Sequence, residues 1–343
     1  MRARYAFIAL LMGNLATAQY NGPESVEYDP AGDRYFVSNT SSSSIKVRDQ
    51  QGTVTNFVNV SPAPYGLEIL GDTLFACSGG TVKGYLLSDA SLVFNRNLGG
   101  TFLNGITTDG TFLYVTDFSG TRIFKVDVAN NSHTTLVANT SGTPNGIVHR
   151  PGTDELLVAF WGSNAAVKAF DRNTGSLLSS VPTTLGNIDG ITLDCFGRVL
   201  LASWSPARIS RFEWGVPSPV FENLQVSGLS SPADIDFDPV NSRICIPNSG
   251  NNTVTLFDVS CTAGMEETAA VRLRVVPNPT SDRLRFEPAF THPEPYLLLD
   301  GRGLLIGGGM LSANAQLDVS KLEPGTYMLE FTQARSRVRF VKQ

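Results

Sequence analysis

Residues 103–117, Leu-Asn-Gly-Ile-Thr-Thr-Asp-Gly-Thr-Phe-Leu-Tyr-Val-Thr-Asp, carry the pattern that decides the fold. A short phrase ending in glycine opens an apolar run, an Asp-Gly turn follows, and a second apolar run begins. The opening phrase recurs as Pro23-Glu24-Ser25, Pro64-Tyr65-Gly66, Leu103-Asn104-Gly105, Pro144-Asn145-Gly146, Ile188-Asp189-Gly190 and Pro232-Ala233-Asp234. The central residues are 41, 39, 41, 44 and 44 positions apart. A period of about 40 residues with several short strands per unit predicts a β-propeller. Six copies predict six blades.

Each blade divides into four strands at its turn residues. In blade one they fall at Ser25–Asp29, Arg34–Ser38, Ser44–Arg48 and Thr53–Val60; in blade three at Gly105–Thr108, Phe112–Thr116, Arg122–Asp127 and Thr134–Ala138. One such sheet cannot bury both faces, so neighbouring blades must stack around an axis. Gly66, Gly105, Gly146 and Gly190 stand where the innermost strands crowd that axis, where only a missing side chain permits close backbone approach.

Residues 1–18 carry Arg2 and Arg4, an apolar stretch from Tyr5 to Met12, and an Ala16-Thr17-Ala18 end, the pattern of a secretory signal peptide. Nothing else supplies the roughly 18 apolar residues of a membrane-spanning helix. The expectation is a protein that is soluble once exported. Residues 19–261 carry 14 Lys and Arg against 22 Asp and Glu, whereas residues 262–343 carry 10 against 9. An acidic body argues against a nucleic-acid partner, which would need a basic face. Of the three pairings that four cysteines allow, Cys245–Cys261 is favoured because both sit in the last repeat; buried free thiols remain the alternative.

The segment 262–269 breaks the period and reads as a linker. Residues 270–343 are a second strand-rich unit, with runs at Leu273–Val276, Arg283–Phe286, Tyr296–Leu299, Gln316–Val319, Thr326–Phe331 and Val338–Lys342. A small antiparallel β-sandwich is expected. This tail resembles the C-terminal sorting domain of the type IX secretion system. The resemblance rests on Val276-Pro277-Asn278-Pro279-Thr280-Ser281-Asp282, then Leu299-Asp300-Gly301-Arg302-Gly303, then Leu317 through Tyr327, before the basic end Arg339-Phe340-Val341-Lys342. It implies a partner in the type IX machinery, passage across the outer membrane, and a secreted or cell-surface product.

In a propeller, the start of each innermost strand lies beside the axis. Glu24, Asn104, Asn145 and Asp189 should therefore converge there as four oxygen donors. Two carboxylates and two amides, with no thiol or imidazole, favour calcium or another hard divalent cation over zinc or copper. Tyr65, Phe102, Phe160, Trp161 and Trp204 are candidates to line a pocket mouth or to pack within the blades.

This axial set resembles the senescence-marker-protein-30/gluconolactonase group of propellers, with paraoxonases as distant relatives. The match runs through Glu24-Ser25-Val26-Glu27-Tyr28-Asp29, Leu103-Asn104-Gly105, Pro144-Asn145-Gly146-Ile147 and Ile188-Asp189-Gly190-Ile191-Thr192-Leu193-Asp194. The resemblance implies that Glu24, Asn104, Asn145 and Asp189 bind the metal and that Asp189 also transfers protons. Where that group carries a substrate-binding Arg, this chain has Phe102, which turns the expected substrate from a sugar acid toward an apolar lactone or ester. Ser25 replaces the group's usual Gly after the first ligand. The paraoxonase His pair has no counterpart among His133, His149 and His292.

A second resemblance is to NHL-like blades, through Leu113-Tyr114-Val115-Thr116-Asp117 and Arg122-Ile123-Phe124-Lys125-Val126-Asp127; it implies that Asp117 and Arg122 pair structurally across a turn. Three roles remain open: a calcium-dependent lactone or ester hydrolase, a module holding a glycan, peptide or small molecule, and a structural ion site. No Ser/His/Asp triad, phosphate loop, CxxC pair or HExxH motif is visible.

Overall fold

The computed structural model describes residues 19–261, 273–287, 289–290, 293–300, 305–313, 316–331 and 336–343. The leader at 1–18, the linker at 262–269, His292 and the Gly301-Arg302-Gly303 turn lie outside them. The described residues form strands and turns with no helix, and so contain no helix that could cross a membrane. The chain divides into two compact units, Met1–Gly264 and Met265–Gln343.

The first unit is a six-bladed β-propeller. Five blades are four-stranded antiparallel sheets and the sixth has three strands, Asp236–Asp238, Arg243–Asn248 and Thr253–Asp258. Blade three comprises Leu103–Thr108, Phe112–Asp117, Arg122–Asp127 and Ser132–Val137, within two residues of the sequence reading at each end. The other innermost strands are Pro23–Asp29, Pro64–Leu70, Thr143–His149 and Gly186–Leu193. Between blades, apolar side chains such as Val26, Leu67, Ile106, Ile147, Ile191 and Ile235 are buried. Asp117 accepts from Arg122 at 2.7 Å and from the backbone amides of Thr101, Phe102 and Gly120, which locks the turn beside it.

Each innermost strand slips by one residue against its neighbour, between Pro23 and Val26, Pro64 and Leu67, Leu103 and Ile106, Pro144 and Ile147, and Ile188 and Gly190. Blade six shows the same slip between Pro232 and Asp236. An extra residue in a strand shifts its two-residue alternation by one. The residue at the phrase centre and the one three places later therefore share the axial side.

The glycines after the phrase centre make this crowding possible. A Cβ on Gly66, Gly105, Gly146 or Gly190 would lie under 3 Å from the carbonyl oxygen of Asn104, Asn145, Asp189 or Ala233 respectively, each in the next blade. Ser25 and Asp234 occupy this position where blade six meets blade one. Here the two inner strands form a parallel bridge, with Asp234 N donating to Glu24 O at 2.8 Å and Ser25 Oγ donating to Asp234 Oδ2 at 2.9 Å. The serine in place of glycine belongs to this closure. Tyr35 OH adds a bond to Asp238 Oδ2 at 2.5 Å.

The disulfide joins Cys195 to Cys261 across a separation of 66 residues, while Cys77 and Cys245 are buried free thiols. The expected Cys245–Cys261 pair is thus corrected. Cys245 lies within a central strand of blade six, at the core, and Cys261 follows the last strand at the blade's edge.

The second unit is a sandwich of a three-stranded sheet (Arg274–Val276, Arg283–Glu287, Leu317–Asp318) and a four-stranded sheet (Leu305–Leu311, Glu294–Asp300, Gly325–Phe331, Ser336–Lys342). Leu284, Phe286, Leu329, Phe331 and Phe340 form its core. Strand Leu305–Leu311 was not expected, because its Gly307-Gly308-Gly309 run opposes strand propensity. Pairing with the Glu294–Asp300 strand overrides that preference.

Candidate functional site

At the end of the axis where the phrases begin, Asn145 Nδ2 donates to Asp189 Oδ1 at 2.9 Å. Asn145 Oδ1 is buried and has no hydrogen-bond partner. Glu24, on the inner strand of blade one, stands within the electrostatic field of Asp189. Asn104 is buried on the same ring of strand positions, with no hydrogen bond to the other three. Asp189 and Asn145 are thus in direct contact, Glu24 is close by, and Asn104 is a neighbour by position.

A third acid joins them. Asp234 follows Ala233 in the sixth phrase and acts on both Glu24 and Asp189. Burial, then the Asp234 charge, pushes the Glu24 carboxyl up to about 8. Burial, then the Glu24 charge, holds Asp189 well above the ordinary carboxylate range. The Asp234 carboxyl is raised the same way, by burial first, against the lowering effect of the Ser25 bond. Sequence reasoning stopped one residue short of it, at Ala233.

Three residues along each strand lies a second ring: Glu27, Glu68, Thr107, Val148, Thr192 and Asp236. Its polar members tie neighbouring blades together. Ile69 N donates to Glu27 Oε1 at 3.0 Å, His149 N donates to Thr107 Oγ1 at 3.3 Å, and Tyr28 N donates to Asp236 Oδ2 at 2.9 Å. Thr107 and the backbone of Thr108 bond to Glu68. Burial, then neighbouring acids, holds Glu27 and Glu68 well above the usual range. Burial lifts Asp236 to about 6 in spite of its bonds from the Tyr28 and Phe237 amides. The same 40-residue period would have revealed this ring if followed three places downstream. No Lys, Arg or His occupies either ring.

An aromatic wall rises beside the upper ring. Tyr65 meets Phe102 at 4.6 Å between ring centroids, Phe102 meets Phe118 at 5.5 Å, Phe118 meets Trp161 at 5.9 Å, and Trp161 meets Trp204 at 4.9 Å, all edge to face. All five side chains are half-buried and they span blades two to five. Both ends of the wall come near the acids. Tyr65 feels the Glu24 charge, and the Trp204 indole, which donates to Pro232 O at 3.1 Å, also reaches Asp189.

Four of the five expected pocket aromatics belong to this wall. Phe160 does not: it is buried in the blade core with Lys168 Nζ 4.2 Å above its ring. Phe160 and Trp161 are consecutive in one strand, so their side chains leave opposite faces and only one can face the mouth. Phe118 replaces it. Its signal was faint, a lone aromatic just after the Thr116-Asp117 end of a strand.

Among the described residues, His133 and His149 bond away from the axis. His133 accepts from Arg96 on an outer strand, and His149 bonds to Thr153 O at a blade turn. Among the described residues, no three His, Cys, Asp or Glu side chains form a metal cage. The axial donor set reaches four only by counting the two amides.

No protein-family model matches this chain, and no curated protein matches it in sequence. Similar solved structures include hydrazine synthase from Kuenenia stuttgartiensis, at 18% identity over 73% of this chain and 80% of that one, with a TM-score of 0.57. Virginiamycin B lyase from Staphylococcus aureus matches at 13% identity over 71% of this chain and 86% of that one, with a TM-score of 0.52. Both are propeller proteins, and at these identities they share the fold with this chain.

Proposed function

We propose that the axial end is a cation-dependent ligand site of an exported propeller, with calcium as the metal that suits it and an apolar lactone or ester as the substrate. The buried, unpartnered Asn145 Oδ1 beside Asp189 carries this reading. A buried acceptor without a partner is costly, and a cation relieves it. Glu24 and Asp189 would balance a divalent charge, and a cation between them would offset the burial, and then the neighbouring acid charges, that raise both carboxyls. Glu24, Asn104, Asn145 and Asp189 are the residues that would hold it, and their oxygens are hard donors.

When bound, calcium would supply Lewis-acid polarisation of a carbonyl. Asp189 would accept the proton from an attacking water, while the aromatic wall holds the apolar part of the substrate and excludes bulk solvent. The order of ligands by blade, which resembles the senescence-marker-protein-30/gluconolactonase group, supports the same assignment. Calcium titration by calorimetry, followed by a panel of aryl esters and lactones, tests it. Calcium binding without turnover would leave the second reading, a non-enzymatic binding module, which the extent of the aromatic wall favours.

The export half of the proposal rests on the leader-like residues 1–18 and the sorting-type motifs of the tail. Both support a mature propeller that lies outside the cell or on its surface. Genetic deletion of the tail tests that half independently.

A further inference from the structure

The geometry points to a second class of occupant for the axial end: a primary ammonium group carrying an aryl or other apolar tail. This goes beyond the metal reading. It rests on the axial end being a cation site and does not require hydrolysis.

A primary ammonium has three N–H donors and no acceptor. The axial end offers Glu24, Asp189 and the unpartnered Asn145 Oδ1, and Asn145 is 2% exposed. No basic side chain sits on either axial ring, and the charged groups acting on Glu24 and Asp189 are other carboxylates. An anionic head group has nothing to meet there.

The wall supplies the second half. A bare metal ion makes no use of five half-buried rings reaching from Tyr65, beside Glu24, to Trp204, beside Asp189. Together they leave a continuous arc of partly exposed aromatic surface, the kind of surface that an apolar ligand group covers. A cation held among aromatic rings gains from their negative faces, and an aryl tail gains from edge-to-face contact. An acidic floor under an aromatic wall satisfies both ends of an arylalkylammonium ion at once.

The test uses the purified full chain and 2-phenylethylammonium, with 2-phenylethanol as the neutral counterpart and methylammonium as the tail-less one. Binding is read by calorimetry and by tryptophan fluorescence, in chelator and in excess calcium. The expected result is that 2-phenylethylammonium binds at least about tenfold more tightly than the alcohol, as a buried charge-assisted hydrogen bond predicts. It should also bind more tightly than methylammonium and lose apparent affinity as calcium is added. Phe118→Leu should weaken the aryl ammonium by about three- to tenfold, in line with a lost aromatic pair, and leave the calcium affinity unmoved.

Equal binding of the amine and the alcohol would overturn the inference, as would amine binding that stays indifferent to calcium while calcium itself binds the chain. Calcium binding without amine binding would also overturn it and leave the metal reading standing. Amine binding without calcium binding would do the reverse. If neither cation binds, both readings fall. The ligand series in the wild-type chain decides these outcomes even if the Phe118 variant fails to fold.

Discussion

Asn145 gives its Nδ2 to Asp189 Oδ1 at 2.9 Å, and in doing so leaves its own Oδ1 buried without a partner. The two residues come from neighbouring blades and are 44 positions apart. The bond orients the Asp189 carboxylate and creates the vacant acceptor from which the cation proposal follows.

Asp189 separates chemistry from binding. In the hydrolase reading it is the proton acceptor, so Asp189→Asn should lower turnover by about 10²–10⁴-fold even at calcium concentrations that saturate the variant. Full-rate hydrolysis by the variant would place the chemistry on another residue.

The axial carboxyls make stability fall with rising pH. Glu24 titrates at about 8 and Asp236 at about 6, both raised by burial first, against an unfolded value of about 4. Between the unfolded and folded values the native state binds more protons than the unfolded chain, so raising the pH favours unfolding. The contribution is complete below about pH 4 and is lost as the pH climbs through 6 and then 8. In chelator, the melting temperature should therefore be higher at pH 5.5 than at pH 8.5. Calcium should raise it more at pH 8.5, where it replaces the lost protons. A melting temperature that rises with pH across this window would show that the acids ionise without cost.

Gly105→Ala tests the crowding at the axis. The new Cβ would meet Asn145 O, Gly146 Cα and Ile147 N, all backbone atoms that cannot rotate away. Overpacking of this kind costs about 1–3 kcal/mol, read as a lowered denaturation midpoint. An unchanged midpoint would mean that the blades can slide apart without loss.

Deletion of residues 270–343 should leave the propeller folded and retained in the periplasm of a host with a type IX system. Secretion of the truncated chain into the medium would show that the tail is not an export signal.

The 40-residue period was enough to set the blade number, the strand boundaries to within about two residues, and the positions of Glu24, Asn104, Asn145 and Asp189, because repetition and two-residue alternation are local properties of a strand. The tail's core strands were legible for the same reason, apart from Leu305–Leu311, where three glycines hide a strand that only its partner stabilises. Other features depended on closing the ring. The one-residue slip in every innermost strand brings Glu27, Glu68 and Asp236 to the axial side, and a slip has meaning only against a paired strand. The meeting of blades six and one recruits Asp234 and Ser25, which are 209 residues apart. The pairing of Cys195 with Cys261, and the presence of Phe118 rather than Phe160 in the aromatic wall, were likewise settled by which side chains share a face once the blades have stacked. Local sequence sets which way a side chain leaves its strand, but what it meets there belongs to a neighbouring blade, and only tertiary packing supplies that neighbour.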